Sequence, residues 1–393
     1  MLAERMNRLG TETAFEVLAK AQAMEAEGRE IIHLEIGEPD FDTPQHIIDA
    51  AVYAINNGNT HYTPSAGMVK IRQTFAEYIT RDRGIAVNPE NIVITPGAKP
   101  ILFFTILALV GTGDEVIYPN PGFPIYESVI RFAGAKPVPL PLREQRAFSF
   151  DPEELKALVN DKTKLIIINS PQNPTGGVLS KDDVRIVADL AQAHDAWILS
   201  DEVYCKMVYE AAAVSIYNFP EVKERTVLLD GHSKTYAMTG WRLGYGIMPE
   251  WLALHIAKLQ TNCTSCTPPF TQMAGAEALT GPQDESIRMM AEFKERRDLV
   301  VEGLNAIPGI SCISPKGSFY AFPNITGTGM TSKELADFLL KEAGVAALSG
   351  TSFGQYGEGY LRISFANSKE NLEKALERIE AALNKKTLDK DRQ

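Results

Sequence analysis

The run KLIIIN, residues 164–169, decides the fold class. Four consecutive large aliphatic residues, three of them β-branched, stand before a polar one. A strand with one wet face would alternate, so both faces of this segment must be covered, as in a parallel sheet between layers of helices. Downstream, KDDVRIVADLAQAHD (181–195) has helical spacing and leads into AWILS (196–200). The same kind of short apolar run recurs in NIVIT (91–95), DEVIYP (114–119), KPVPLPL (136–142), TVLLD (226–230) and RLGYGI (242–247), with a second helical pattern in KPILFFTILALV (99–110). This alternation predicts an α/β fold whose large domain holds a mostly parallel seven-stranded sheet covered by helices. KPVPLPL carries three prolines and is expected to be an irregular or edge strand.

The texture changes after about residue 283. DESIRMMAEFKERRDLVVEGLNAI (284–307) predicts a long helix, followed by ISCISPKGSFYAFPNI, a helical SKELADFLLKEAG, a strand-like YLRISFA and a final helix NLEKALERIEAAL. We expect a smaller α+β domain over residues 284–393 and the large domain over 48–283. Residues 1–47 are assigned to the smaller unit, because their single helix AFEVLAKAQAMEAEG cannot bury its apolar face alone. KKTLDKDRQ at the end reads as a solvated tail.

At 393 residues the chain exceeds one ordinary core, which agrees with two domains. The net charge of −11 argues against a nucleic-acid partner, since phosphate neutralisation needs a basic face. No stretch approaches the roughly 20 apolar residues of a membrane helix, and the start lacks the apolar core of a signal peptide. A cytoplasmic protein is expected. Neither the four cysteines nor the six histidines show ligand spacing, Cys263-x-x-Cys266 included, so no metal is expected.

Ligands of open parallel sheets bind beyond the carboxyl ends of the strands. After NIVIT come Gly97, Ala98 and Lys99, opening a helix; after DEVIYP comes NPGFP, with Phe123; after KLIIIN comes SPQNPTGG, with Asn173. AWILS leads to Asp201 and Tyr204, and TVLLD to Ser233 and Lys234. Gly97 allows backbone amides to approach an anion, and Ser233 and Arg242 can complete that anion site. Asp201 places a carboxylate at a buried strand end, where it requires a cation. Lys234 is an amine that a dehydrated, cationic site pushes toward its nucleophilic neutral form. A phosphorylated aromatic aldehyde with a ring nitrogen and a ring hydroxyl uses all of these groups, and pyridoxal 5′-phosphate is that molecule.

With IGEPDF (36–41), YTPSAG (62–67), PGAKP (96–100), SPQNPTGG (170–177), DEVY (201–204), SKTYAMTGWRLGY (233–245) and LRISFA (361–366) in order, the chain resembles the class I/II aminotransferases of fold-type I pyridoxal-phosphate enzymes over almost its whole length. The resemblance implies that Lys234 bonds covalently to the cofactor aldehyde and that Asp201 keeps the pyridine nitrogen protonated. It implies that Asn173 and Tyr204 hydrogen-bond the ring oxygen, and that Phe123 stacks on the ring. Arg362 would take the substrate α-carboxylate, with Gly37 beside it. Tyr62 would reach the phosphate of a neighbouring subunit, implying a homodimer with shared sites. Position 231 is Gly where several members carry Ser, and Ser233 and Lys99 are expected to compensate. Glu12, Phe15 and His232 are further residues that could approach the substrate.

The resulting expectation is amino-group transfer between an L-amino acid and a 2-oxo acid, with 2-oxoglutarate and glutamate as one pair. Lys99 leans toward an acidic donor such as aspartate; Phe15, Phe123 and Tyr62 suit an aromatic or aliphatic one. The alternative is a pyridoxal-phosphate lyase or synthase using the same lysine.

Overall fold

A computed structural model describes residues 2–210 and 213–391. Its main sheet runs, edge to edge, through Ile92–Thr95, Gly244–Ile247, Thr226–Gly231, Trp197–Asp201, Thr163–Asn169, Glu115–Asn120, Lys136–Arg143 and Ser149–Phe150. All seven apolar runs of the sequence are in it. The eighth strand, Ser149–Phe150, is two residues long and pairs antiparallel with Leu142 and Arg143. A segment so short carries no periodicity to read. Gly244–Ile247 is antiparallel to both its neighbours, which leaves the carboxyl ends of the other long strands on one rim.

Period-two geometry sorts the strand residues between two cores. Ile92, Ile94, Ile166, Ile168, Ile198 and Leu228 face one way, against Ile47, Phe75, Val184 and Ala274 of the covering helices. Val93, Leu165, Ile167, Leu199, Val227 and Leu229 face the other, against Ile101, Val129 and Ile256. Burial on both sides is why these strands read as continuous apolar runs. In Lys136–Arg143 the three prolines fall at alternate positions. The Lys136 N–H donates inward to Asp114, so Pro137, Pro139 and Pro141 turn their missing donors toward the outer edge, and pairing there begins only at Leu142.

Another core gathers Phe293, Val300 and Leu304 of the helix Asp284–Ala306, Leu372, Ala375 and Ile379 of the final helix, and Ile32 and Leu34 from the N-terminal segment. Its strands Tyr320–Ala321, Leu361–Ser364 and Leu348–Ser349 are antiparallel, and Ile32–His33 pairs in parallel with Val345–Ala346. The final helix spans Lys369–Asp391 and corrects the expected tail, of which residues 392–393 lie outside the described residues. The Lys386 ammonium sits over the Phe338 ring at 4.6 Å, so this part of the tail packs. Among the described residues no helix is long and apolar enough to cross a membrane.

Candidate active site

A cavity of about 450 Å³ opens at the rim and takes its walls from the strand ends, the N-terminal segment and the strands Tyr320–Ala321 and Leu361–Ser364. It brings together Gly37, Ala98, Lys99, Phe123, Asn173, Asp201, Tyr204, Ser233, Lys234, Arg242 and Arg362. Gly97 touches it through Arg242.

Lys234 follows the strand Thr226–Gly231 and is half-buried. Its Nζ donates to the Gly37 carbonyl at 2.6 Å. Burial pushes the amine down to about 8; Glu38 opposes this, while the cations Arg362, Arg242 and Lys99 reinforce it. A neutral, nucleophilic amine is therefore accessible near physiological pH.

One end of the cavity suits an anion. The helix Lys99–Leu109 begins at Ala98 with no side-chain cap, leaving its first N–H groups to face a ligand. Gly97 has φ +85°, and a Cβ there would lie 2.1 Å from Arg242 Nη2, so the guanidinium packs directly on the turn. Arg242 itself holds φ 52°, a left-handed conformation that a side chain adopts at a cost.

At the opposite end Asp201 is buried. Tyr126 Oη donates to its carboxylate at 2.6 Å and the Val203 N–H at 3.3 Å. Burial pushes Asp201 up to about 6 against those two hydrogen bonds, and the charges of Asp230 and Glu202 add to the rise. Among the described residues no cation pairs with it. Tyr204 Oη lies 2.9 Å from Tyr320 Oη, and burial holds the Tyr204 phenol well above its ordinary value.

Arg362 lies in the strand Leu361–Ser364, its guanidinium 4.5 Å from the centre of the Tyr320 ring and 4.9 Å from that of Phe353. Nη1 donates to Asn173 Oδ1 at 3.2 Å and Nη2 to the Glu35 carbonyl, while the buried Nε has no partner. The Asn173 N–H is in turn fixed by Asn169 Oδ1 at 3.0 Å.

Several placements qualify the sequence reading. Lys99 forms an ion pair with Glu12 and stands 5.3 Å from the centre of the Phe123 ring, so its charge is matched inside the cavity. Glu12 and Phe15 line the cavity, whereas His232 does not: it is fully buried, donates from Nε2 to the Gly275 carbonyl at 3.1 Å, and is pushed down to about 4 by burial. A side chain at Gly231 would bring its Cβ within 3.2 Å of the Leu243 carbonyl, which leaves little room for the serine other members carry. Tyr62 is 89% exposed and outside the cavity of its own chain. Tyr126, Asn169 and Tyr320 were missed. Tyr126 sits three residues after Phe123, one helical turn on, a spacing that could have pointed to it. Tyr320 lay in SFYAF without a distinguishing mark.

The donor set fits a ligand with an anionic end, a protonatable ring nitrogen and a carbonyl. The glycine cradle under Arg242, the buried Asp201 with only neutral donors and the free Nε of Arg362 each lack what such a ligand and an amino acid provide.

The family model "Aminotransferase class I and II" matches residues 29–379. The chain is 43% identical over 387 residues to an aspartate aminotransferase of Pyrococcus horikoshii, covering 97% of both chains. It is 40% identical over 391 residues to aromatic-amino-acid aminotransferase 2 of Thermococcus litoralis, covering 98% of this chain and 99% of that one. The crystal structure of the aspartate aminotransferase from Rhizobium meliloti superposes with a TM-score of 0.94 at 37% identity, over 98% of this chain and 99% of that one. The chain therefore belongs to the class I and II aminotransferases, the pyridoxal-phosphate-dependent enzymes of fold type I.

Proposed function

We propose that this aminotransferase moves the amino group of aspartate or an aromatic amino acid to a 2-oxo acid, with 2-oxoglutarate and glutamate as one pair. The observation that carries the reading is the convergence of Lys234, Asp201 and Arg362 on one cavity. When bound, pyridoxal phosphate supplies a carbonyl that condenses with amines and a ring that accepts electrons from the substrate α-carbon. Gly97, Ala98, Ser233 and Arg242 would hold its phosphate, Phe123 its ring face, and Asn173 and Tyr204 its ring oxygen. The Asp201 carboxylate would hold the proton on its ring nitrogen. Arg362 clamps the substrate α-carboxylate beside Gly37, which fixes the direction of the α C–H bond. The Lys234 amine takes that proton.

We assign residues 48–283 to the large domain and residues 1–47 and 284–393 to the small one; the pairing of Ile32 with Val345 supports the division. We also read the protein as a cytoplasmic homodimer in which Tyr62 serves the phosphate site of a second copy, an assignment that its exposure supports.

Incubating the loaded enzyme with a panel of amino donors and 2-oxoglutarate tests the function. Glutamate formation with aspartate or an aromatic donor is expected. Release of ammonia and pyruvate without glutamate would overturn it in favour of elimination.

A further inference from the structure

Outside the cavity lining, Arg83 forks between two buried carboxylates. Nη1 donates to Glu202 Oε2 and Nη2 to Asp230 Oδ2. The side chains are 9%, 4% and 9% exposed in the order Arg83, Glu202, Asp230. Glu202 directly follows Asp201, and its N–H bonds the Leu229 carbonyl at 2.9 Å. Asp230 is the penultimate residue of the strand Thr226–Gly231 that leads to Lys234, and its Oδ1 accepts the Gly231 N–H at 2.7 Å. One guanidinium thus ties together the ends of the two strands that carry Asp201 and Lys234.

The remaining acceptors are filled. Glu202 Oε1 takes the hydroxyls of Ser200 and Ser215, both at 2.9 Å, and Asp230 Oδ2 takes that of Tyr245 at 2.9 Å. One cation faces two carboxylates: burial raises both Glu202 and Asp230, while the Arg83 charge and the hydrogen bonds just named favour their ionised forms. The other groups around them do not supply the missing charge. Lys206 is paired with Asp82. Burial raises the Cys205 thiol and the phenols of Tyr78, Tyr236 and Tyr245, so all four stay neutral. A buried ion cluster is weak as a source of stability, since apolar side chains of similar volume serve as well. The surplus charge therefore calls for another account.

We propose that Arg83, Glu202 and Asp230 form a positioning triad, which pins Asp201 and Lys234 at a fixed spacing and whose surplus negative charge keeps protons on the nitrogens of the bound cofactor. The inference rests on the roles given above to Asp201 and Lys234; Glu202 and Asp230 act directly on Asp201, whereas Lys234 also faces Glu38, Arg362, Arg242 and Lys99, which are the same in every variant compared. The test is a pH titration of the visible absorbance of the loaded enzyme in the wild type, Asp230→Asn and Glu202→Gln, with the apoprotein Tm recorded alongside. Each neutral variant removes one nearby negative charge and should move the absorbance midpoint down by about half a pH unit or more. Tyr245→Phe removes a hydrogen bond but no charge and should leave the midpoint in place while lowering Tm. An unmoved midpoint in both neutral variants, or an equal shift in Tyr245→Phe, would overturn the proposal and leave the triad a purely structural feature. A Lys234→Ala variant whose visible band and its pH midpoint match those of the wild type would instead refute the site assignment beneath it.

Discussion

The Lys234 ammonium donates to the carbonyl of Gly37, 197 residues earlier in the chain, at 2.6 Å. The contact joins the strand end of the large sheet to the segment that follows Ile32–His33, so the reactive amine sits where the main sheet meets the core built around Phe293 and Leu304. Its proton affinity is set there by burial, which lowers it, by the opposing charge of Glu38 and by three cations that reinforce the drop.

Replacing Lys234 with Ala should abolish turnover and leave the fold intact, as judged by circular dichroism and by loss of the borohydride-trapped adduct. The apoenzyme adds a pH signature. Because burial pushes the amine down to about 8 from its ordinary 10.5, the rate of condensation with pyridoxal phosphate should rise with pH around a midpoint near 8. A midpoint near 10.5 would show a solvated lysine.

Asp201→Asn should lower kcat by about 10²-fold or more, since the ring nitrogen loses its carboxylate. In the apoprotein the same change should be stabilising. The buried carboxyl is pushed up to about 6 from 3.8, so its contribution to stability is complete below 3.8 and is lost as pH rises through 6. Thermal melts of the apoprotein at about pH 7.5 should favour the variant by on the order of 2 kcal/mol, with the difference vanishing in acid.

Arg362→Lys keeps a charge but loses the planar fork, and the stacking on Tyr320 and Phe353 weakens. The kcat/KM for every amino donor should fall by about 10²-fold or more, independent of the donor side chain. Steady-state kinetics across the donor panel check the uniformity.

Glu12→Gln should uncouple Lys99 from its partner. A free ammonium in the cavity favours a second carboxylate on the substrate, so the ratio of kcat/KM for aspartate over phenylalanine should rise by about fivefold or more. Lys99→Ala should move it the other way.

Gly97→Ala tests the anion cradle. The added Cβ would collide with Arg242, and the backbone at φ +85° resists a side chain. Affinity for pyridoxal phosphate should drop by about tenfold or more, measured by titration of the apoenzyme, with little change in the affinity of the dephosphorylated aldehyde.

The sequence by itself determined the sheet and the rim. Strands such as Thr163–Asn169 are buried on both faces, and that demand is written in consecutive apolar residues. Once they are parallel, the residues after them share one edge, which is why Asp201, Asn173 and Lys234 could be grouped from order alone. Tertiary structure decided the pairings among those groups. Glu12 meets Lys99 across 87 positions, Tyr204 meets Tyr320 across 116, and Arg83 meets Asp230 across 147. Hydrophobic periodicity is a local property of the chain, whereas these contacts depend on how separate cores pack against each other, and no short window of sequence carries that information.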